Sequence, residues 1–198
     1  MKVIFLDNDG VICLSNTWGT RHKKQKEWGG AKLSMSPREY PIQYRFDNFD
    51  TKAVEVLNSI IEETDCEIIV SSDWRLHGTL EELGEYYQSQ GIIKKPIGTT
   101  DLFKDIYPKE WSRLRFRADL ELERYMEIDH WLENHPEVTH WVAVDDLNMS
   151  VEYLSNQFTS RDGSDTKPGL TNFVLTPKDN EGIKQSGIKD KILKYLKP

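Results

Sequence analysis

The string Asp7-Asn8-Asp9-Gly10 puts two carboxylates one residue apart at the end of a short apolar run, VIFL at 3–6. Like charges about 4 Å apart repel by roughly 4 kcal/mol at an effective dielectric near 20, so a positive partner is expected between them. Two later stretches have the same form. Ser71-Ser72-Asp73-Trp74-Arg75 follows the apolar run 67–70, and Asp145-Asp146 follows 141–144. Parallel sheets bind ligands outside the carboxyl ends of their strands. If these three strands are neighbours, Asp7, Asp9, Asp145 and Asp146 share one edge with a pair of hydroxyls. Four hard oxygen donors would favour a divalent cation, most simply Mg²⁺.

Each piece also has a plainer reading. Asp-x-Asp-Gly occurs in calcium loops and in ordinary turns. A calcium loop needs a Glu at its twelfth position, and counting from Asp7 that position is Trp18. Adjacent acids after a strand can be a solvated loop or a helix cap. It is the order, each group following a buried strand, that lifts the set above its parts.

The positioning elements can be read from periodicity. The runs 3–6, 67–70, 141–144 and 172–175 are apolar without alternation, as strands covered on both faces are. A weaker strand is expected around Ile92, Ile93 and Ile97. Helical patterns lie between them. Residues 51–63 carry Ala53, Val54, Leu57, Ile60 and Ile61 on one face, with Asp50 as N-cap; 79–90 stops at Gly91. Further helices are expected over 121–134, 150–158 and 185–196. Strands alternating with helices predict an α/β fold with a parallel sheet between two helical layers. The stretches 15–46 and 98–119 are long for structureless connections, and such loops tend to be functional. The stretch 159–169 reads as a polar surface loop.

A chain of 198 residues suffices for one sizeable domain, and 11% aromatic content with six Trp argues against disorder. The net charge of −7 argues against general binding of polyanions. Cys13 and Cys66 lie beside apolar runs in no metal-ligand spacing, which fits buried thiols in a reducing compartment. With no span of about 18 apolar residues, a cytoplasmic protein without membrane attachment is expected.

The four motifs, in order, resemble those of the haloacid dehalogenase (HAD) superfamily of phosphohydrolases. Asp7-Asn8-Asp9-Gly10-Val11 is similar to the first, Ile68-Ile69-Val70-Ser71 to the second, and Val144-Asp145-Asp146 to the acidic fourth. Arg124-x-x-Glu127-Ile128-x-x-Trp131-Leu132 resembles the third-motif helix of a branch that includes the HAD modules of multidomain RNA-repair proteins. Ser72-x-Trp74-Arg75 and Pro96-Ile97-Gly98-Thr99-Thr100 point to the same branch, and the phosphatase domain type of phage polynucleotide kinase is similar by motif. The resemblance implies a three-layer, Rossmann-like HAD fold and an aspartyl-phosphate mechanism. Asp7 would be the nucleophile and Asp9 the general acid and base. Mg²⁺ would be held by Asp7, Asp9 through its backbone carbonyl, Asp145 and Asp146. Ser71 or Ser72 would bind the phosphoryl group, Arg124 would supply the third-motif cation in competition with Arg113, Arg115 and Arg117, and Arg75 would meet the phosphate or an acid.

Residues 15–46 would form a small cap inserted in a single domain spanning 1–198. The segment holds seven cations (Arg21, Lys23, Lys24, Lys26, Lys32, Arg38 and Arg45) against two acids, a local charge of +5 within an acidic chain. Trp18, Trp28, Tyr40, Tyr44 and Phe46 are interleaved with them. Cations with aromatics suit a substrate with phosphates and bases, so Arg21, Lys23, Lys24, Lys26 and Trp28 are candidate substrate contacts. The expected activity is a Mg²⁺-dependent phosphomonoesterase acting on nucleotides or phosphorylated nucleic-acid ends. The alternatives are a sugar or small-metabolite phosphatase, a phosphotransferase, and a non-catalytic module on the same fold. A response-regulator receiver would place its acidic pair after the first strand and its single Asp later, the reverse of the order here.

Overall fold

Four of the apolar runs become strands in the computed structural model, which describes residues 1–29, 37–109, 120–157 and 168–197. They are β1 (Lys2–Leu6), β2 (Glu67–Val70), β4 (His140–Asp145) and β5 (Phe173–Leu175). A fifth strand, β3, is Gly98–Thr99. The sheet is wholly parallel in the order β3-β2-β1-β4-β5. The strand expected around Ile92–Ile97 is therefore displaced toward the C-terminus. Pro96 has no N–H for a ladder, and pairing begins after it, with the Ile97 N–H donating to the Ile68 carbonyl at 2.9 Å.

Seven helices are described. They are α1 (Thr20–Gly29), α2 (Thr51–Thr64), α3 (Leu80–Ser89), α4 (Phe103–Ile106), α5 (Leu120–Glu133), α6 (Val151–Gln157) and α7 (Ile188–Leu196). Asp50 caps α2 as expected, its carboxylate accepting from the Ala53 N–H at 3.0 Å. Thr79 and Glu82 cap the start of α3 reciprocally. The alternation of the strands divides the core in two. Ile4, Leu6, Ile68, Val70, Val142 and Val144 pack on α2, α3 and α7. Val3, Phe5, Ile69 and Ala143 pack on α5 and α6. This is the expected α/β architecture, with a parallel sheet between two helical layers.

Two helices went unread in the sequence. The α1 helix (TRHKKQKEWG) is polar around its circumference and offers no apolar stripe. It is tied down by polar contacts instead. Asp47 accepts from the Arg21 N–H at 2.7 Å, Lys24 donates to Asn48 at 2.8 Å, and Gln25 donates to the Tyr44 carbonyl at 2.8 Å. The α4 helix is a single turn, too short for any periodicity. Lys32, Arg113, Arg115, Arg117 and nearly all of the 159–169 loop lie outside the described residues.

Register brings the three candidate motifs together. Leu6 pairs with both Val70 and Val144. The ladder runs one residue further, with the Asp7 N–H donating to the Val144 carbonyl at 3.1 Å and the Ser71 N–H to the Leu6 carbonyl at 3.0 Å. Asp7 is thus flanked by Ser71 and Asp145 at the point where successive strands are added on opposite sides of β1, the usual ligand position in such sheets. Between the two acids Asn8 is fully buried. Its Oδ1 accepts from the Tyr87 hydroxyl at 2.5 Å, and its carbonyl accepts from the N–H groups of Val11, Ile12 and Cys13. Tyr87→Phe leaves that buried oxygen unpaired and should cost about 1–2 kcal/mol in urea unfolding. A loss under a few tenths would show that Asn8 is held by its backbone alone.

Candidate active site

The carboxylates of Asp7, Asp145 and Asp146 converge, with one oxygen of each within 4.8 Å of the others. Asp7 and Asp145 are buried and Asp146 is exposed. The positive partner that the opening motif calls for is Arg124 on α5. Its Nη1 lies 3.2 Å from Asp7 Oδ1 and 3.2 Å from Asp145 Oδ2, and also donates to the Ser71 carbonyl, while Nη2 reaches Asp73 at 3.2 Å. The buried face of α5 reads Arg124, Glu127, Ile128 and Trp131. One side of the helix therefore supplies both core apolar groups and site charges.

Glu127 organises the surroundings of Arg124. One oxygen accepts from the Phe103 N–H at 2.8 Å, and the other accepts from Arg75 Nη2 at 2.5 Å and lies 3.7 Å from Arg124 Nε. Arg75 is held in this buried pair and lines a separate cavity between α4 and α5. The two serines differ. Ser72 starts a short 3₁₀ turn, its Oγ accepting from the Trp74 N–H at 3.5 Å, and it also hydrogen-bonds Asp7. Ser71 Oγ is buried with no protein partner. An orphaned hydroxyl level with Asp7 is what a phosphoryl oxygen would satisfy.

Asp9 stands apart from the trio. Its Oδ2 accepts from the Trp74 indole N–H at 2.8 Å, and it lines a cleft of about 480 Å³ with Trp18, Arg21, Phe46 and His77. The basic segment divides accordingly. Arg21 lines the cleft. Lys23 and Lys26 are exposed and outside it, and Lys24 turns inward to Asn48 and Tyr86. Trp28 packs on Tyr40 and Tyr44, at 5.8 and 5.6 Å between centroids. Arg38 and Arg45 bond the carbonyls of Leu76 and His77. The sequence reading missed Trp74 and Glu127 as site residues, although both stood inside quoted motifs, and missed Trp18 in favour of Trp28.

Electrostatics agree with a cation site. Burial, then Asp146 and Asp9, pushes the Asp7 carboxyl up to about 7 against the pull of Arg124. Burial and Asp7 raise Asp145, and burial raises Asp146. Burial works against the charge on Arg124, but Asp145, Asp7, Glu127 and Asp73 outweigh it and its pKa rises. One guanidinium thus faces an excess of carboxylate oxygens whose ionised forms are strained. In an octahedron with bonds of about 2.1 Å, opposite ligands lie about 4.2 Å apart, so the cluster needs little contraction to hold Mg²⁺. Gly10 belongs to the same geometry. At φ +70°, an added Cβ would lie 2.4 Å from Asp146 Oδ2.

A raised carboxyl pKa stabilises the metal-free fold below the unfolded value of 3.8, and that stabilisation is lost as pH rises through about 7. In EDTA near pH 7.5, Asp7→Asn should therefore melt higher than the parent by roughly 3 °C, with the gap closing toward pH 5. Added Mg²⁺ should raise the parent's melting temperature far more than the variant's. A parent that ignores Mg²⁺ in these melts would speak against the cation site.

With this geometry in place, comparison with protein families gives a match over residues 3–172 to the HAD domain in Swiss Army Knife RNA repair proteins. Neither curated proteins nor solved structures give a match. The match covers β1 through β4, and with them Asp7, Asp9, Ser71, Arg124, Asp145 and Asp146. The chain belongs to the family of HAD domains found in Swiss Army Knife RNA repair proteins, a phosphatase-type branch of the HAD superfamily.

Proposed function

We propose that this protein is a Mg²⁺-dependent phosphomonoesterase working through an aspartyl-phosphate on Asp7, with nucleotides or phosphorylated nucleic-acid ends as substrates. The observation that carries the reading is the convergence of Asp7, Asp145 and Asp146 around Arg124, with Asp9 beside them facing a cleft. Asp7, Asp145, Asp146 and the Asp9 carbonyl would hold Mg²⁺. The ion would offset negative charge so that an anion can attack a phosphate ester.

The chain's own groups then have distinct tasks. An Asp7 carboxylate oxygen attacks phosphorus while the ester P–O bond breaks, its electron pair leaving on the ester oxygen. The Asp9 carboxyl gives that oxygen its proton, and the alcohol departs. The Asp9 carboxylate next takes a proton from water as the water attacks the phosphoryl group on Asp7, releasing phosphate and restoring both acids. The Ser71 hydroxyl donates to a phosphoryl oxygen. Arg124 orients Asp7 and balances the incoming charge. Arg75, through Glu127, supports Arg124 rather than touching substrate.

Residues 15–46 act as the cap in this proposal, within a single domain. Arg21 and the half-exposed Trp18 line the cleft beside Asp9, and Lys23 and Lys26 are exposed on α1. That pairing suits a nucleoside in the cleft with further phosphates along the helix. The occurrence of this family in RNA repair proteins favours nucleic-acid ends. Among the described residues no helix is long and apolar enough to cross a membrane. A cytoplasmic setting, with both thiols buried and free, completes the proposal.

Hydrolysis of 4-nitrophenyl phosphate should require Mg²⁺ and fall by at least about 10³-fold in Asp7→Asn. On a panel of nucleoside monophosphates and 3′- or 5′-phosphorylated oligonucleotides, Trp18→Ala should raise KM about tenfold for substrates carrying a base. Neutralising Arg21, Lys23 and Lys26 together should raise KM for oligonucleotides more than for the small aryl ester. Equal effects on all substrates would remove the nucleotide assignment and leave the phosphatase.

A further inference from the structure

Asp9 is two residues from Asp7, yet its carboxylate does not join the cluster of Asp7, Asp145 and Asp146. The main interaction that holds it aside is the hydrogen bond from Trp74 Nε1 to Asp9 Oδ2 at 2.8 Å, with a weaker one from the Cys13 thiol. Trp74 itself has little freedom. Its ring stacks with Phe46 at 4.4 Å and 7° and with Phe49 at 5.3 Å and 17°, and Tyr86 meets it edge-on at 5.9 Å. Its backbone N–H is capped by Ser72. We infer that Trp74 is a positioning residue that aims the Asp9 carboxyl into the cleft, toward the oxygen of the departing alcohol, and keeps it out of the metal set.

The chemistry of the donor fits the task. An indole N–H can donate but cannot accept, so it orients a carboxyl without competing for the proton that carboxyl must deliver. A flexible Lys in its place would add a charge and a mobile stem. Phe46 ends the 15–46 segment, so the stack also couples the seating of that segment to the aim of Asp9. The simpler alternative is that Asp9 merely satisfies a buried indole. The two differ in what happens when the N–H is lost and the ring is kept.

The inference rests on the reading of Asp9 as the proton donor, and the test separates the two. Trp74→Phe and the sulfur isostere 3-benzothienylalanine at position 74 both remove the N–H, and the isostere keeps the shape and the stack. Single-turnover release of the alcohol is measured in the full chain for 4-nitrophenyl phosphate, whose leaving group needs little protonation, and for an alkyl phosphate, whose leaving group needs a proton. Both variants should lose about tenfold or more on the alkyl ester relative to the aryl ester, a fraction of the 10²–10⁴ typical of general acid catalysis. Mg²⁺-induced thermal shifts should stay within those of the parent, and if Trp74→Phe does not fold the isostere decides. Equal losses on both esters, or none, overturn the positioning role. Asp9→Asn serves as the reference. If it shows the leaving-group split and the position-74 variants do not, Trp74 alone is excluded; if it shows no split, the proton-donor reading falls and the positioning role falls with it.

Discussion

Three carboxylates and one guanidinium share the tip of the sheet, and the fold around them follows from that crowding. Arg124 bridges Asp7 just beyond β1, Asp145 at the end of β4 and the Ser71 carbonyl beyond β2, so a single side chain closes the gap between three strand ends. Its burial is tolerable because each guanidinium nitrogen lies within 3.7 Å of a carboxylate oxygen, and a buried charge left without such partners would be strongly destabilising. Glu127 extends the same logic outward. By engaging the Phe103 N–H, Arg75 and the flank of Arg124, it ties α4, α5 and the turn after β2 into one polar network.

The charge balance of that network is incomplete, and the deficit has chemical meaning. One guanidinium among Asp7, Asp145 and Asp146 leaves surplus negative charge where burial already disfavours it, as the upward shift of Asp7 to about 7 shows. A stable protein tolerates such strain where a ligand relieves it. A hard divalent cation is the ligand that three carboxylate oxygens within 4.8 Å would accept.

The segment between β1 and α2 uses its cations in two ways. Arg38, Arg45 and Lys24 are spent on the carbonyls of Leu76, Tyr40 and His77 and on Asn48, which fastens a segment with little apolar surface to the body. Arg21 lines the cleft, 3.8 Å from Asp47, and Lys23 and Lys26 are exposed. A positive segment charge therefore overstates what is available to a substrate. The aromatics divide likewise: both rings are about half exposed, but Trp28 lies against Tyr40 and Tyr44 while Trp18 lines the cleft.

The parallel sheet, α2 with its Asp50 cap, the span of α3 with its stop at Gly91, and the placement of Asp7, Ser71 and Asp145 at strand ends were legible in the sequence. Local rules govern them: unbroken apolar runs make buried strands, and Asp50 caps its helix through a neighbour three residues away. The α1 helix was not legible because it has no apolar face, and the site of strand pairing after Pro96 was set by the partner strand. Tertiary structure alone decided that Arg124 is the described cation among the acids, that Arg75 answers Glu127, that Trp74 claims Asp9, and that Trp18 rather than Trp28 faces the cleft. These outcomes depend on which side chains meet across 21 to 117 residues of chain, or on which of two similar rings lies beside the cleft. A one-dimensional pattern records the residue types for such contacts; only the register of the sheet and the docking of α5 against it select the pairs.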